Sequence, residues 1–470
     1  MNTALDWAET VRRVAPLTTK PRADNRGFTV KEALEDTPGL FVKQGNGPRD
    51  MLISIQWFWR QAGIWLAQYQ GVRGWLPVTQ SDGLARTDNQ DPHAYGEIDI
   101  IRGPSSSLYD NYAIGGVINY RTRKGRDIDG LEIGNDFGSE GFHNHYVTLG
   151  GTYHDLEYSL FGSAIGGDGW YDHSEFDTST ENLIATWAPD LDHALTVKLV
   201  NNDIDAQVPS RLSKNQLAAN PQDAGTVSLS RAGLPAIIVD TERADQGRAD
   251  RRTIAGARYE QSLGESTDWH VMGVFDLKDI NQTFGTITDN ENPNWQFSTD
   301  ITHRDTLFGL EATHFAGLFF NYMEQEGVTY FNLGDFAGTR GAVSSATRGH
   351  HQNIGGRVRE EVAFNPQWKL VAGVGVEDSK VEAEFRNRTA AETFRIVNVD
   401  RDFMNIAPEG ALVWTPSDIW TVHARVGTGY GIPSISNLTT GPDGLPGNNT
   451  NLEPQYVVGT ELGVDWKPVN

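Results

Sequence analysis

The side chains of this sequence that could do chemistry are six histidines, one acidic run and one basic set. His143, His145, His154 and His173 lie close together in the chain, and His350-His351 form a pair. Side chains alternate along a strand, so His143 and His145 share a face and could open a metal site. No carboxylate spacing completes a recognisable ligand set, which favours ordinary rim or lumen histidines, and no metal is expected. Asp289-Asn290-Glu291-Asn292 has the oxygen ligands of a Ca²⁺ loop, but reads more simply as a solvated acidic loop. Arg102, Arg121, Arg123 and Lys124 could hold a phosphate; the better reading pairs them with acids such as Glu360 or Glu377. Catalysis has little support. The chain contains no G-x-S-x-G, H-E-x-x-H or phosphate loop, and Glu360 and Glu361 would point to opposite strand faces. Gly115-Gly116 are turn glycines, because a dinucleotide fingerprint needs a βαβ context. No enzyme is expected.

The elements that must position these residues are strands. In 470 residues there are 50 glycines, 10% aromatics and no cysteine, a composition suited to a β-rich exported protein without disulfides or thiolate metal sites. Thirty-nine Lys and Arg against 62 Asp and Glu give a net charge of −23, which argues against a nucleic-acid partner. There is no apolar run of 18 residues and so no transmembrane helix, but strands cross membranes with alternating apolar residues alone. Such alternation recurs from about Leu131 onward. Leu156, Tyr158, Leu160, Gly162 and Ala164 oppose Asp155, Glu157, Ser159, Phe161 and Ser163. Trp269, Val271, Gly273, Phe275 and Leu277 oppose His270, Met272, Val274, Asp276 and Lys278, and Trp368–Val376 and Trp420–Val426 repeat the pattern. Apolar-out, polar-in segments of about ten residues suit strands between lipid and an aqueous lumen. Trp187, Trp269, Trp368, Trp414, Trp420 and Trp466 stand at strand ends, as interfacial girdles require. Asn365-Pro366-Gln367 and Thr415–Asp418 are short connections; residues 205–250, 281–294, 387–401 and 427–455 read as long polar loops.

One stretch is more specific. Glu97–Lys124, EIDIIRGPSSSLYDNYAIGGVINYRTRK, reads as a strand, a turn at Arg102-Gly103-Pro104, a polar segment, and a second strand entered through Gly115-Gly116. Ile98, Asp99, Ile100, Arg102, Gly103, Pro104, Ser106, Leu108, Tyr109, Ala113, Gly115, Gly116, Val117, Ile118 and Asn119 resemble the signature closing the plug domain of TonB-dependent outer-membrane receptors. Asp110 departs from it, standing where the family has glycine. Thr29 with Glu32 forms a capping box for a short helix stopped by Pro38-Gly39, followed by a strand at Leu40–Val42. That order resembles the opening of a plug. Between these anchors, Gln56-Trp57 and Gly74-Trp75-Leu76 depart from the family's turns, and likeness resumes at Pro77–Pro92.

The resemblance implies a mainly β fold: an antiparallel transmembrane β-barrel with an N-terminal α+β plug domain. Roughly fourteen alternating segments are present against about 22 strands in plugged transporters, so an incomplete barrel is expected. The expected division is a leader remnant at 1–26, a plug at 27–127 and a partial barrel at 128–470. Neither a secretory signal nor a Ton box is visible before Phe28. The implied role is an outer-membrane receptor of a Gram-negative cell, taking up a ferric siderophore or similar iron chelate. Its implied partners are TonB with its inner-membrane energising proteins, the chelate and outer-membrane lipid, with no covalently bound cofactor. Plug-tip ligand contacts fall on Arg60, Gln61, Gln80, Ser81 and Tyr109, with Trp57 and Trp59 beside them; arginine and aromatics suit an anionic ferric chelate. For Tyr109 the competing reading is packing inside the plug. Cobalamin, haem or glycan uptake, a non-transporting fragment, and a soluble β-rich glycan-binding protein or hydrolase are the alternatives.

Overall fold

The computed structural model describes residues 91–467 except 232–233, 336, 390–392 and 442–445, plus Leu34, Thr37 and four short strand backbones nearer the N-terminus. Those four are β1 (Leu17–Thr18), β2 (Leu40–Gln44), β3 (Met51–Ile55) and β4 (Ala67–Gln70). With β5 (Tyr95–Arg102) and β6 (Gly116–Thr122), β1 and β4 make a four-stranded sheet in the order β1-β5-β6-β4; β2 and β3 pair separately. The β5–β6 hairpin is antiparallel, whereas β4 runs parallel to β6. Its isoleucines and tyrosines are fully buried: Tyr95, Ile98, Ile100, Ile118 and Tyr120 form one core with Leu34.

The rest of the chain is one antiparallel sheet of fourteen strands. In chain order these are β7 (Gly130–Phe137), β8 (His143–Tyr153), β9 (Leu156–Gly167), β10 (Phe176–Trp187), β11 (His193–Gln207), β14 (Gly247–Ser262) and β15 (Thr267–Thr283). They continue as β16 (Thr286–Leu307), β17 (Leu310–Asn332), β18 (Arg340–Asn365), β19 (Trp368–Arg388), β20 (Phe394–Ser417), β21 (Trp420–Gly431) and β22 (Gln455–Trp466). A separate hairpin, β12 (Thr226–Arg231) and β13 (Leu234–Asp240), decorates the β11–β14 connection. Each strand of the large sheet pairs with its chain neighbours, and β7 and β22 are its two edges.

Alternation decides which face each side chain takes. On β15, His270, Asp276 and Lys278 are buried inward, and on β9 Phe161 packs into the plug core while Leu156 and Leu160 lie exposed outward. Trp368 stacks on Trp414 and Trp420 on Trp466 along one rim. Among the described residues that rim carries most of the short turns, the Phe284-Gly285 turn between β15 and β16 lying on the other. Phe308-Gly309, both at positive φ, closes β16 to β17 with Leu307 opposite Leu310, the conformation a two-residue hairpin turn demands.

Two expectations change. Residues 281–294 and 387–401 are mostly strand, not loop. β15 and β16 are joined by Phe284-Gly285 alone, and β19 runs to Arg388 before β20 resumes at Phe394. The polar sequence there hid strands that continue past the apolar band with charged outer faces. Asp289 accordingly sits within β16 and is ion-paired to Arg340 at 2.8 Å, not in a Ca²⁺ loop.

Candidate functional site: the plug signature and its seat

The signature folds as its residues require. β5 and β6 pair with Arg102 opposite Gly116 and Asp99 opposite Asn119. Gly103, at φ 80°, turns the chain and donates its N–H to Gly115 O at 3.1 Å; Ser105 N–H reaches Ala113 O at 2.9 Å. Pro104 leads into a helical turn, Ser106–Tyr109, which ends at Asp110 with φ 58°. Asp99 is buried and accepts from Asn119 Nδ2 at 3.0 Å and Arg121 Nε at 2.5 Å. Burial raises its carboxyl pKa although Arg121 pulls the other way. Arg123 makes a bidentate pair with Glu132 of β7 at 2.6 and 2.7 Å.

This segment sits on a floor of glycines in the wall. A Cβ on Gly375 would lie 2.9 Å from Ser107 O, on Gly427 2.7 Å from Pro104 O, and on Gly459 2.6 Å from Pro104 Cδ. On Gly429 it would lie 2.8 Å from Ile114 Cα. Side chains there would lift the plug off the strands. Polar contacts fix the seat: Arg425 donates to Pro104 O at 2.6 Å and pairs with Glu409 at 3.5 Å. Tyr430 N–H donates to Ser106 Oγ at 3.1 Å, Tyr112 N–H to Tyr430 O at 2.9 Å, and Ile432 N–H to Asn111 Oδ1 at 3.0 Å. Glu377 is buried and accepts from Tyr430 OH at 2.9 Å and Ser379 Oγ at 2.7 Å. Arg357 donates to Leu108 O and lies 3.5 Å from Asp110 Oδ1. On the opposite side the fully buried Lys198 donates from Nζ to Thr122 Oγ1 at 3.0 Å. Above the seat, Ile432, Ile435 and Leu438 of the β21–β22 connection pack on Tyr112 and Ile114 of the plug and on Val381, Val399 and Phe403 of the wall.

Of the expected ligand contacts, Arg60, Gln61, Gln80 and Ser81, like Trp57 and Trp59, lie outside the described residues. Tyr109 is half-buried, packed on Ile101, Ala113, Val117, Leu108 and Phe315. Arg102 is buried. The basic set divides: Arg123 does meet a wall acid, but it is Glu132, and Arg121 turns into the plug. Glu360 faces outward, sharing a strand face with exposed Val358, and bonds His314 at 2.7 Å. Glu377 does lie at the seam, against the backbone and tyrosine above, not against an arginine of that set. Arg357, Glu409, Arg425 and Tyr430 were not singled out from sequence; inward-facing charge on an otherwise apolar strand was the signal available. Higher on the wall, Arg252 forms a bidentate pair with Asp276 at 2.9 and 2.6 Å, and Asn292, Asn294 and His351 are buried with unpaired polar atoms. His143 and His145 lie 5.6 Å apart, centroid to centroid, and no group of three metal-ligating side chains exists among the described residues.

Residues 196–470 match the family described as "TonB dependent receptor-like, beta-barrel", and residues 9–117 match "TonB-dependent Receptor Plug Domain". The chain belongs to the TonB-dependent receptor family. It is a plugged outer-membrane β-barrel protein, of a family of receptors and not of enzymes. Over 464 residues this receptor is 24% identical to the iron-regulated outer membrane virulence protein of Vibrio cholerae serotype O1, covering 93% of the chain and 60% of that relative. The chain therefore spans about three fifths of the length of the curated relative it matches. Among solved structures it resembles the unliganded ferric citrate transporter FecA, with a TM-score of 0.76 at 17% identity, over 98% of this chain and 68% of that one. It also resembles the siderophore receptor PiuA of Acinetobacter baumannii, with a TM-score of 0.74 at 12% identity, over 98% and 70%. The copper transporter OprC is similar too, with a TM-score of 0.69 at 13% identity, over 97% and 69%. At these identities the likeness carries the fold.

Proposed function

We propose that this receptor takes up an iron chelate, a ferric siderophore or a similar complex, across the outer membrane at the expense of energy delivered through TonB. The observation that carries the reading is the plug signature locked into the wall by Arg425, Tyr430 and the glycine floor. A lumen wide enough for a bulky chelate would leak, and a folded stopper held by breakable hydrogen bonds answers that need. An outer membrane holds no ATP, so release must be driven from elsewhere, through a short N-terminal strand captured by β-augmentation. The relatives named for iron regulation, ferric citrate and siderophores support iron as the cargo. In this reading residues 27–127 are the plug, 128–470 the wall, and Arg60, Gln61, Gln80, Ser81 and Tyr109 the plug residues that meet the ligand. The iron complex is cargo and not a resident cofactor.

Tryptophan fluorescence of the folded chain, titrated with a panel of ferric citrate, catecholate and hydroxamate chelates, tests this. Saturable quenching by at least one ferric chelate, absent with its iron-free form, is the expected result. Silence against every chelate would overturn it.

A further inference from the structure

Between Arg126 and Lys198 the sequence has no lysine or arginine and fourteen Asp or Glu. This stretch forms β7–β10, four wall strands with no Lys or Arg of their own; Arg123 and Arg126 pair with Glu132 and Glu157 at their inner end, and the outer connection from β9 to β10 is the segment 168–175. Trp170 and Tyr171 stand on that connection with 47% and 43% of their surfaces exposed. Their rings meet edge to face, 4.8 Å between centroids and 81° between planes, leaving an L-shaped corner of two aromatic surfaces. The backbone beneath them is tied down: Asp172 N–H donates to Gln222 O at 2.7 Å, Gln222 Nε2 to Trp170 O at 3.2 Å, and His173 Nε2 lies 2.6 Å from Gln246 O. Two large aromatics half displayed in water on a braced support are a costly surface, and among the described residues each ring is paired only with the other. Gly167 pairs with Phe176 at the base of the connection, and the exposed Asp168, Asp172, Glu175 and Asp177 all stand on it or within two residues of it.

We propose that this corner is a capture site for a ligand bearing an alkylammonium group, with Trp170 and Tyr171 supplying the π faces and the four carboxylates the countercharge. The rim position follows from the fold, since 168–175 lies on the side opposite the tight turns that face the periplasm. A polyanionic ligand is repelled here, and a neutral one gains the ring contacts without the field. The inference rests on the uptake reading only for its biological meaning: the incoming chelate would carry an amine or quaternary nitrogen.

The test uses the folded full chain in detergent and two probes of the same shape, choline and its uncharged isostere 3,3-dimethylbutan-1-ol, followed by calorimetry. Choline is expected to bind saturably, the isostere about tenfold or more weakly, and the choline affinity to fall as salt is raised. The double variant W170A/Y171A should abolish the difference between the probes. A second variant, D168N/D172N/E175Q, keeps the rings and should weaken choline roughly three- to tenfold while removing most of the salt dependence. Equal binding of both probes, no choline binding, or choline binding unchanged in either variant would each overturn the proposal. Because no iron is present in these titrations, their outcome is independent of whether any ferric chelate binds.

Discussion

Asp110 stands where the plug signature carries glycine, yet its backbone keeps a glycine's geometry, φ 58° and ψ −149°. An L-residue held there stores on the order of 1–3 kcal/mol. The carboxylate adds a second cost, because burial pushes its pKa up to about 6 although the Arg357 guanidinium opposes this. In the folded plug the proton is kept to about pH 6, whereas the unfolded chain loses it near 3.8. The folded state thus binds more protons between these values, so stability falls as pH rises through that window and stays lower above it, by roughly 1–3 kcal/mol. Asp110→Asn should flatten this slope while retaining the backbone strain. Asp110→Gly should flatten it too and gain about 1–2 kcal/mol more at pH 7. Urea unfolding at pH 4 and pH 7, followed by protection of plug amides from hydrogen exchange, separates the three forms; equal slopes for all of them would disprove the assignment.

Strands are the scale at which sequence said most. Alternation with a period of two located the wall from Leu131 onward, and the Arg102-Gly103-Pro104 and Gly115-Gly116 turns located the β5–β6 hairpin, because both signals are local. What the sequence did not give was contact between distant strands. Gly375, Gly427, Gly429 and Gly459 read as ordinary strand glycines, and only the register that brings β19, β21 and β22 under Pro104 and Ser107 shows them as a floor. Glu377 and Arg123 were visible as seam residues, but their partners Tyr430 and Glu132 depend on a fold no local pattern encodes. The strands above the apolar band were missed for a related reason: alternation is legible only where the two faces meet different solvents. Gly427→Val should cost the plug seat about 1–3 kcal/mol by overpacking, whereas Gly273→Val, with no atom within 4 Å of the added Cβ, should change it by less than about 0.5 kcal/mol. Differential loss of exchange protection in residues 104–114 measures the contrast.

At the scale of the molecule, strand length outruns the membrane. β18 has 26 residues, about 85 Å of strand, where about ten residues cross the apolar layer. The outward face changes chemistry on schedule: on β17, Leu318, Phe320 and Tyr322 give way to Glu324 and Glu326, and Arg348 of β18 pairs with Glu326 at 2.9 Å. The wall therefore stands as a collar outside the lipid. The absence of cysteine allows a clean test with single thiols. In lipid vesicles, Arg348→Cys should react with a membrane-impermeant maleimide within minutes. Leu318→Cys, at a position likewise exposed on the outer face, should be protected by lipid at least about a hundredfold. Similar rates at both sites would remove the collar.

The bonds joining Tyr112 to Tyr430 and Asn111 to Ile432 tie the stopper to the root of the 432–454 connection, whose Ile435 and Leu438 lie on top of it. On the proposed uptake reading, a tug from the cell's interior would have to break or drag these ties before the lumen opened, so the roof facing the medium would move in the same event as the floor. On that reading, release below and loosening above would be one mechanical step, and a cargo bound between them would be let go by the surface behind it as it was let through ahead.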